Sequence, residues 1–187
     1  MPELILASES PRRRELLAIA GFQFSVRARP IEERRKPGET PVHYARRLAL
    51  EKAAAASPRR DEVVLGADTI VVVDDRILEK PTDEQDARAM LRLLSGREHT
   101  VITGICMIHG DRSISDHAST EVQFSALDGS EIESYIHSGE AAGKAGAYAI
   151  QGLASKFVER IDGCYFNVMG LPLALVYRHW KSLVSGG

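Results

Sequence analysis

The 187-residue sequence predicts an α/β protein built as one domain. Three observations carry this. Short apolar runs alternate with segments whose apolar residues recur at helical spacing. The helical segments open on residues that cap helix N-termini. Glycine-rich gaps follow four of the strand-like runs, and no repeat, linker or low-complexity tract interrupts the order.

Leu4-Ile5-Leu6-Ala7 is a continuous apolar run, the pattern of a strand buried on both faces. Ser10-Pro11 supplies a cap followed by proline at the first helical position, and Leu16, Leu17 and Ala20 follow before Gly21 stops the helix. Phe22, Phe24 and Val26 alternate as a second strand. Arg29 to Glu39, with two prolines and Gly38, reads as a surface loop. Thr40-Pro41 repeats the helix start, and Val42, Ala45, Leu48, Ala49, Ala53 and Ala56 mark a buried stripe ending near Ser57-Pro58. Val63 to Leu65 and Ile70 to Val73 read as strands broken by Gly66-Ala67-Asp68-Thr69, and Asp74-Asp75 turns into Arg76 to Leu78. Thr82 and Gln85 form an expected capping box for the next helix. His99 to His109 and Ser113 to Phe124 predict a long hairpin around Gly110-Asp111. Ser130 and Glu133 suggest another capping box, for a helix stopping at Gly139. No period survives from Gly139 to Gly152. A strand near Phe157 to Ile161 and a helix from Pro172 past Trp180 follow, and Ser185-Gly186-Gly187 reads as a frayed tail.

Composition excludes several classes. Hydrophobic residues at 44% and charged residues at 27% rule out wholesale disorder. The formal charge of -2 and aromatic content of 6% argue against a nucleic-acid partner while leaving room for a small basic pocket. No apolar run is long enough to span a membrane. The start, Met1-Pro2-Glu3-Leu4, lacks the basic region of a signal peptide, and Cys106 and Cys164 have no metal-ligand spacing. A cytoplasmic protein with reduced thiols is the expectation.

Three groups of residues suit chemistry. Ser8-Glu9-Ser10-Pro11-Arg12-Arg13 lies between a buried strand and a helix N-terminus. There, free amides, hydroxyls and guanidiniums suit the oxygens of a polyphosphate. The plain alternative is that Ser10 only caps the helix while Arg12 to Arg14 lie in solvent. Asp68 stands among apolar strand residues, where a carboxyl needs hydrogen bonds, a cation or a proton. A general base or a Mg²⁺ ligand accounts for it; a turn residue capping local amides is the alternative. Lys52, beside an apolar stripe, and Lys80, at a strand end, suit phosphate as point charges or else lie on the surface. Glu140, Lys144, Tyr148 and Gln151 share the glycine-rich loop. His99 has no partner at zinc spacing and reads as a satisfied structural histidine. Neither a P-loop, a dinucleotide-binding fingerprint nor a nucleophile elbow is present.

Taken in order, these segments resemble the Maf family of nucleoside triphosphate pyrophosphatases. The matching blocks begin with Leu6 to Arg13 with Glu15-Leu16-Leu17, Pro37-Gly38-Glu39 and Leu48-Ala49 to Ala53. They continue through Gly66 to Thr69, Lys80-Pro81, His99-Thr100-Val101 with Thr103-Gly104, and Lys144 to Tyr148. Ile150-Gln151-Gly152 and Asn167 to Pro172 complete them. The likeness runs over nearly the whole chain, and although each block is weak, the ordered set is specific.

The resemblance implies an elongated, twisted, mixed sheet flanked by helices, with a deep central cleft of the Maf and inosine triphosphatase kind, often in homodimers. It implies cleavage of a nucleoside triphosphate between the α and β phosphates, with Asp68 as proton acceptor. Arg12, Thr69 and Gln151 fall where the dTTP/UTP branch differs from the branch that takes 7-methyl-GTP. Ser8, Ser10, Arg13, Lys52 and Lys80 match phosphate-binding positions, and Glu33 with Asp68 are candidate anchors for Mg²⁺ or Mn²⁺. The pyrimidine assignment has a physical side, since a glutamine amide satisfies one donor and one acceptor of a uracil or thymine edge. Modified pyrimidine nucleotides fit the same edge. Glu79, Gly143 and Arg34-Arg35 depart from the family's usual residues. A non-catalytic nucleotide-binding regulator of cell division, or the same reaction on 7-methyl-GTP, are the competing readings.

Overall fold

The computed structural model describes residues 2–184, so the tail Ser185-Gly186-Gly187 lies outside the described residues. In chain order the elements are β1 (Glu3–Leu6), α1 (Pro11–Ile19), β2 (Phe24–Val26), α2 (Pro41–Ala55), β3 (Glu62–Val73), β4 (Arg76–Leu78) and α3 (Glu84–Leu94). Then come β5 (Glu98–His109), β6 (Arg112–Phe124), α4 (Gly129–His137), β7 (Val158–Asp162), α5 (Tyr165–Val168) and α6 (Leu173–Val184). Seven strands form a mixed sheet in the order β2-β1-β3-β5-β6-β7, with β4 paired to β3 off that path. β1 pairs in parallel with β2 and β3, whereas β4 and β7 pair antiparallel with β3 and β6. This is the α/β class that the alternating pattern predicts. None of the described helices is long and apolar enough to cross a membrane.

The chain divides into two compact units, the boundary falling inside β3, β5 and β6. The first holds the residues up to Thr69, Thr103–Ala118 and those from Gly170 on. Its strands β1 and β3 are buried along Leu4 to Leu6 and Val63 to Leu65, as continuous apolar runs require. Thr40 caps α2 by accepting the His43 N–H at 3.3 Å. The helix then lays Ala49, Ala53 and Ala56 against Ile5, Ala7, Val64 and Cys106. Its backbone comes unusually close to the sheet. A Cβ on Gly66 would lie 2.1 Å from the Ala49 carbonyl oxygen, and one on Gly104 2.4 Å from that of Ala45.

That close approach corrects one expectation. Gly66 to Thr69 does not break the strand but lies inside the continuous twelve-residue β3. Glycine and aspartate are poor strand formers, yet here glycine is the residue that admits a helix backbone.

The second unit holds Ile70–Ile102 and Ser119–Met169. Leu91, Leu94, Val101, Val122, Phe124, Ile132, Tyr135 and Phe157 form its core. Asp74 and Asp75 turn β3 into β4 with φ of 47° and 61°, the paired left-handed geometry of a tight hairpin. Both expected capping boxes are displaced. Asp83 rather than Thr82 caps α3, accepting the Asp86 N–H at 2.8 Å. Asp128 and Glu131, not Ser130 and Glu133, form the box on α4, and Glu133 instead pairs with Arg88. An ionised acceptor, favoured by the positive end of the helix, takes the cap in each case.

His99 is only 2% exposed, with Nε2 2.8 Å from the Tyr148 hydroxyl and its ring edge-on to Phe124. The expectation of a satisfied structural histidine holds for one nitrogen, because Nδ1 has no hydrogen-bond partner. Burial pushes its pKa down to about 4 from an ordinary 6.5. The unfolded chain therefore takes up the proton first, and stability is lost as pH falls from 6.5 towards about 4. His99→Phe should flatten that decline in urea unfolding across the same window. An unchanged slope would remove His99 as its source.

Candidate active site

The first unit brings most of the sequence-derived residues together. Strand alternation along β3 turns Gly66 and Asp68 towards α2 and Thr69 to the other face. Because Gly66 lets α2 close on the sheet, Lys52 reaches Asp68, its Nζ 2.6 Å from Oδ1. The same ammonium lies 2.8 Å from Glu33 Oε1, so one lysine serves two carboxylates. Asp68 is 6% exposed. Burial raises its pKa, outweighing the opposing pull of Lys52 and Arg13.

Glu33 is held by contacts the sequence did not announce. Tyr44 donates its hydroxyl to the Glu33 carbonyl oxygen at 3.3 Å. Arg47 grips the Glu39 carboxylate at 2.7 and 2.8 Å and the Arg34 carbonyl at 2.9 Å, pinning the loop onto α2. That grip holds the Glu39 carboxyl down at about 2. Arg34-Arg35 is accommodated in the same way, with Arg35 donating to the Glu39 carbonyl at 2.7 and 3.0 Å. The only sequence hint to Arg47 and Tyr44 was their place on the first turns of the helix after the loop.

On the other face of β3, Arg13 is buried at 9% exposure and spends its guanidinium internally. It donates to Ser8 Oγ at 3.0 Å, to Thr69 Oγ1 at 3.1 Å and to the Gly170 carbonyl at 2.9 Å. It thus ties the β1–α1 corner to β3 and to the segment leading into α6. Thr69 Oγ1 also lies 2.9 Å from Thr103 Oγ1, a neighbour that periodicity did not single out. Ser10 stands at the N-cap of α1, but its side chain makes no cap hydrogen bond. Its backbone N–H reaches Ser8 Oγ at 3.3 Å. Arg12 is half-exposed and paired with Glu15 at 2.8 Å. Lys80, exposed after β4, and Gln151, half-buried in a turn, belong to the second unit.

Glu33 and Asp68 are hard oxygen donors gathered at one point, a set that suits Mg²⁺ or Mn²⁺ when phosphate oxygens complete the shell. Among the described residues no group of three or more His, Cys, Asp or Glu side chains stands together as a self-sufficient metal site.

A buried carboxyl with a raised pKa, ammonium and guanidinium neighbours and a helix N-terminus is the equipment of a phosphate-ester or anhydride hydrolase. Residues 3–183 match the Maf-like protein family, and the chain belongs to it. A protein of Koribacter versatilis named dTTP/UTP pyrophosphatase is 50% identical over 176 residues, 94% of this chain and 91% of that protein. One of the same name from Vibrio cholerae is 50% identical over 173 residues, 91% and 92% of the two chains. The structure of the Staphylococcus aureus Ham1 protein is similar in fold, with a TM-score of 0.55, 13% identity and coverage of 96% and 98%.

Proposed function

We propose that this chain, acting as a single catalytic domain, hydrolyses dTTP and UTP between the α and β phosphates. The products are the nucleoside monophosphate and pyrophosphate. The observation that carries this reading is the buried Asp68 carboxyl held by Lys52 two residues beyond Gly66, in a chain half identical to proteins named for that activity.

Asp68, with its raised pKa, accepts a proton from the attacking water as the water oxygen bonds to the α phosphorus. The bond from that phosphorus to the bridging oxygen breaks, and pyrophosphate leaves with the electron pair. Lys52 offsets the charge gathering on the phosphoryl oxygens, and the amides at the start of α1, with Ser8, Ser10 and Arg12, orient them. Arg13 fixes the corner on which those groups sit. Lys80 and Gln151 keep the phosphate and base roles that the family likeness gives them. With Asp68 kept as the base, Glu33 is the side chain that would help hold a divalent cation, which would neutralise phosphate oxygens. Modified pyrimidine nucleotides offering the same edge are further substrates. Both cysteines are free, which supports a reducing, cytoplasmic setting, and homodimers are the assembly the family likeness suggests.

The test is product identification with dTTP and Mg²⁺. Pyrophosphate and dTMP are expected. Orthophosphate with dTDP would overturn the reaction type, and faster turnover of 7-methyl-GTP would overturn the base assignment.

A further inference from the structure

The glycine-rich segment before Gln151 carries a device that the chemistry leaves unused. Gly152 donates its N–H to the Ala149 carbonyl at 3.0 Å, closing a four-residue turn with Gln151 as its third residue. Both ends of that turn are tied to the helix α4 region. The Ala149 N–H donates to the Tyr135 hydroxyl at 3.1 Å. The Leu153 N–H donates to Glu140 Oε2 at 2.9 Å. Burial, aided by the nearby Glu140 charge, pushes the Tyr135 phenol up to about 12. Two hydrogen bonds therefore flank Gln151, one from Ala149 to Tyr135 and one from Leu153 to Glu140.

Gly152 is what admits the carboxylate. A Cβ there would lie 2.2 Å from Glu140 Oε2. Leu153 is exposed at 52%, so the carboxylate is not placed there to fill a core. An ionised acceptor on a backbone N–H makes the stronger kind of hydrogen bond, and it holds a turn that glycines would otherwise leave loose.

We propose that Glu140 is a positioning residue for base recognition, its carboxylate and the Tyr135 hydroxyl clamping both ends of the turn that carries Gln151. This rests on the reading of Gln151 as the residue that meets the pyrimidine edge. An amide must aim its donor and acceptor together at a planar edge, and a turn ordered beforehand spares the entropy of ordering it on binding.

The experiment compares wild type, Glu140→Ala, Glu140→Gln and Tyr135→Phe on UTP and CTP. Glu140→Ala should lower kcat/KM for UTP about tenfold, mainly through KM, and shrink the preference for UTP over CTP by a similar factor. Glu140→Gln keeps an acceptor for the Leu153 N–H and should restore most of that preference. Tyr135→Phe, which keeps the ring, should erode it in the same direction and serves if Glu140→Ala folds poorly. Equal losses on both nucleotides, or none, would overturn the clamp. Amide hydrogen exchange separates this failure from failure of the proposed function, since it needs no turnover. Faster exchange at Ala149 and Leu153 in Glu140→Ala supports the clamp, and unchanged exchange rejects it. A wild type that hydrolyses neither nucleotide rejects the enzymatic reading instead.

Discussion

Asp68→Asn should lower the kcat for UTP by about 10²–10⁴-fold while nucleotide affinity stays within a few-fold of wild type. The magnitude is that of a positioned general base. Asparagine has the same shape but cannot accept the proton of water, and Lys52 keeps Glu33 as a partner at 2.8 Å, so the local fold has a reason to survive. The pH dependence has a defined sign. Burial raises the Asp68 pKa, so, with Asp68 as the base, the acidic limb of kcat/KM should lie above the ordinary carboxylate range, activity falling as pH drops through it. Steady-state rates across pH, with calorimetric binding of a non-hydrolysable UTP analogue, read both effects. Turnover of the variant within tenfold of wild type would remove Asp68 from the proton transfer.

The second large effect concerns a residue with no functional group. Gly66→Ala would put a methyl carbon 2.1 Å from the Ala49 oxygen and 2.7 Å from the Ala53 nitrogen, both backbone atoms of α2. Backbone cannot step aside as a side-chain tip can. The helix must lift, at a cost of about 3 kcal/mol, the upper end for overpacked cores. The thermal midpoint should drop by about 6–12 °C in a chain of this size. Activity should fall further than stability alone accounts for, because lifting α2 draws the Lys52 ammonium off Asp68. Gly129→Ala is the control, with no atom within 4 Å of its added carbon. A Gly66→Ala protein that melts and turns over like the control would refute the close-packing account.

The strand and helix order was legible in the sequence because buried runs, helical stripes and proline starts are local signals. The interruption expected at Gly66 was not real, since a glycine inside a strand reads alike whether it marks a break or a helix pressed against it. Thr82 and Ser130 drew the capping signal from Asp83 and Asp128 one or two residues away, where only the fold decides which oxygen meets the amide. At the site, Asp68, Lys52 and Glu33 were each named, Glu33 only through the family resemblance, but their meeting at one ammonium was not foreseen. Nor was the use of Arg13 as an internal brace, because the Gly170 carbonyl it meets is 157 residues away in sequence. Arg47 and Tyr44 were missed for the same reason, and Thr103, named only within a family block, was not tied to Thr69: their partners are set by tertiary contact.

Asp68 and Thr69 are consecutive on one buried strand and look in opposite directions from it. With Asp68 as the proposed proton acceptor and Thr69 as the proposed selectivity residue, sliding or tilting that strand to suit a different base would drag both along and hitch selectivity to turnover. On that reading, engineering a new nucleotide preference without loss of rate is better aimed away from β3, at parts of the chain that can be retuned alone.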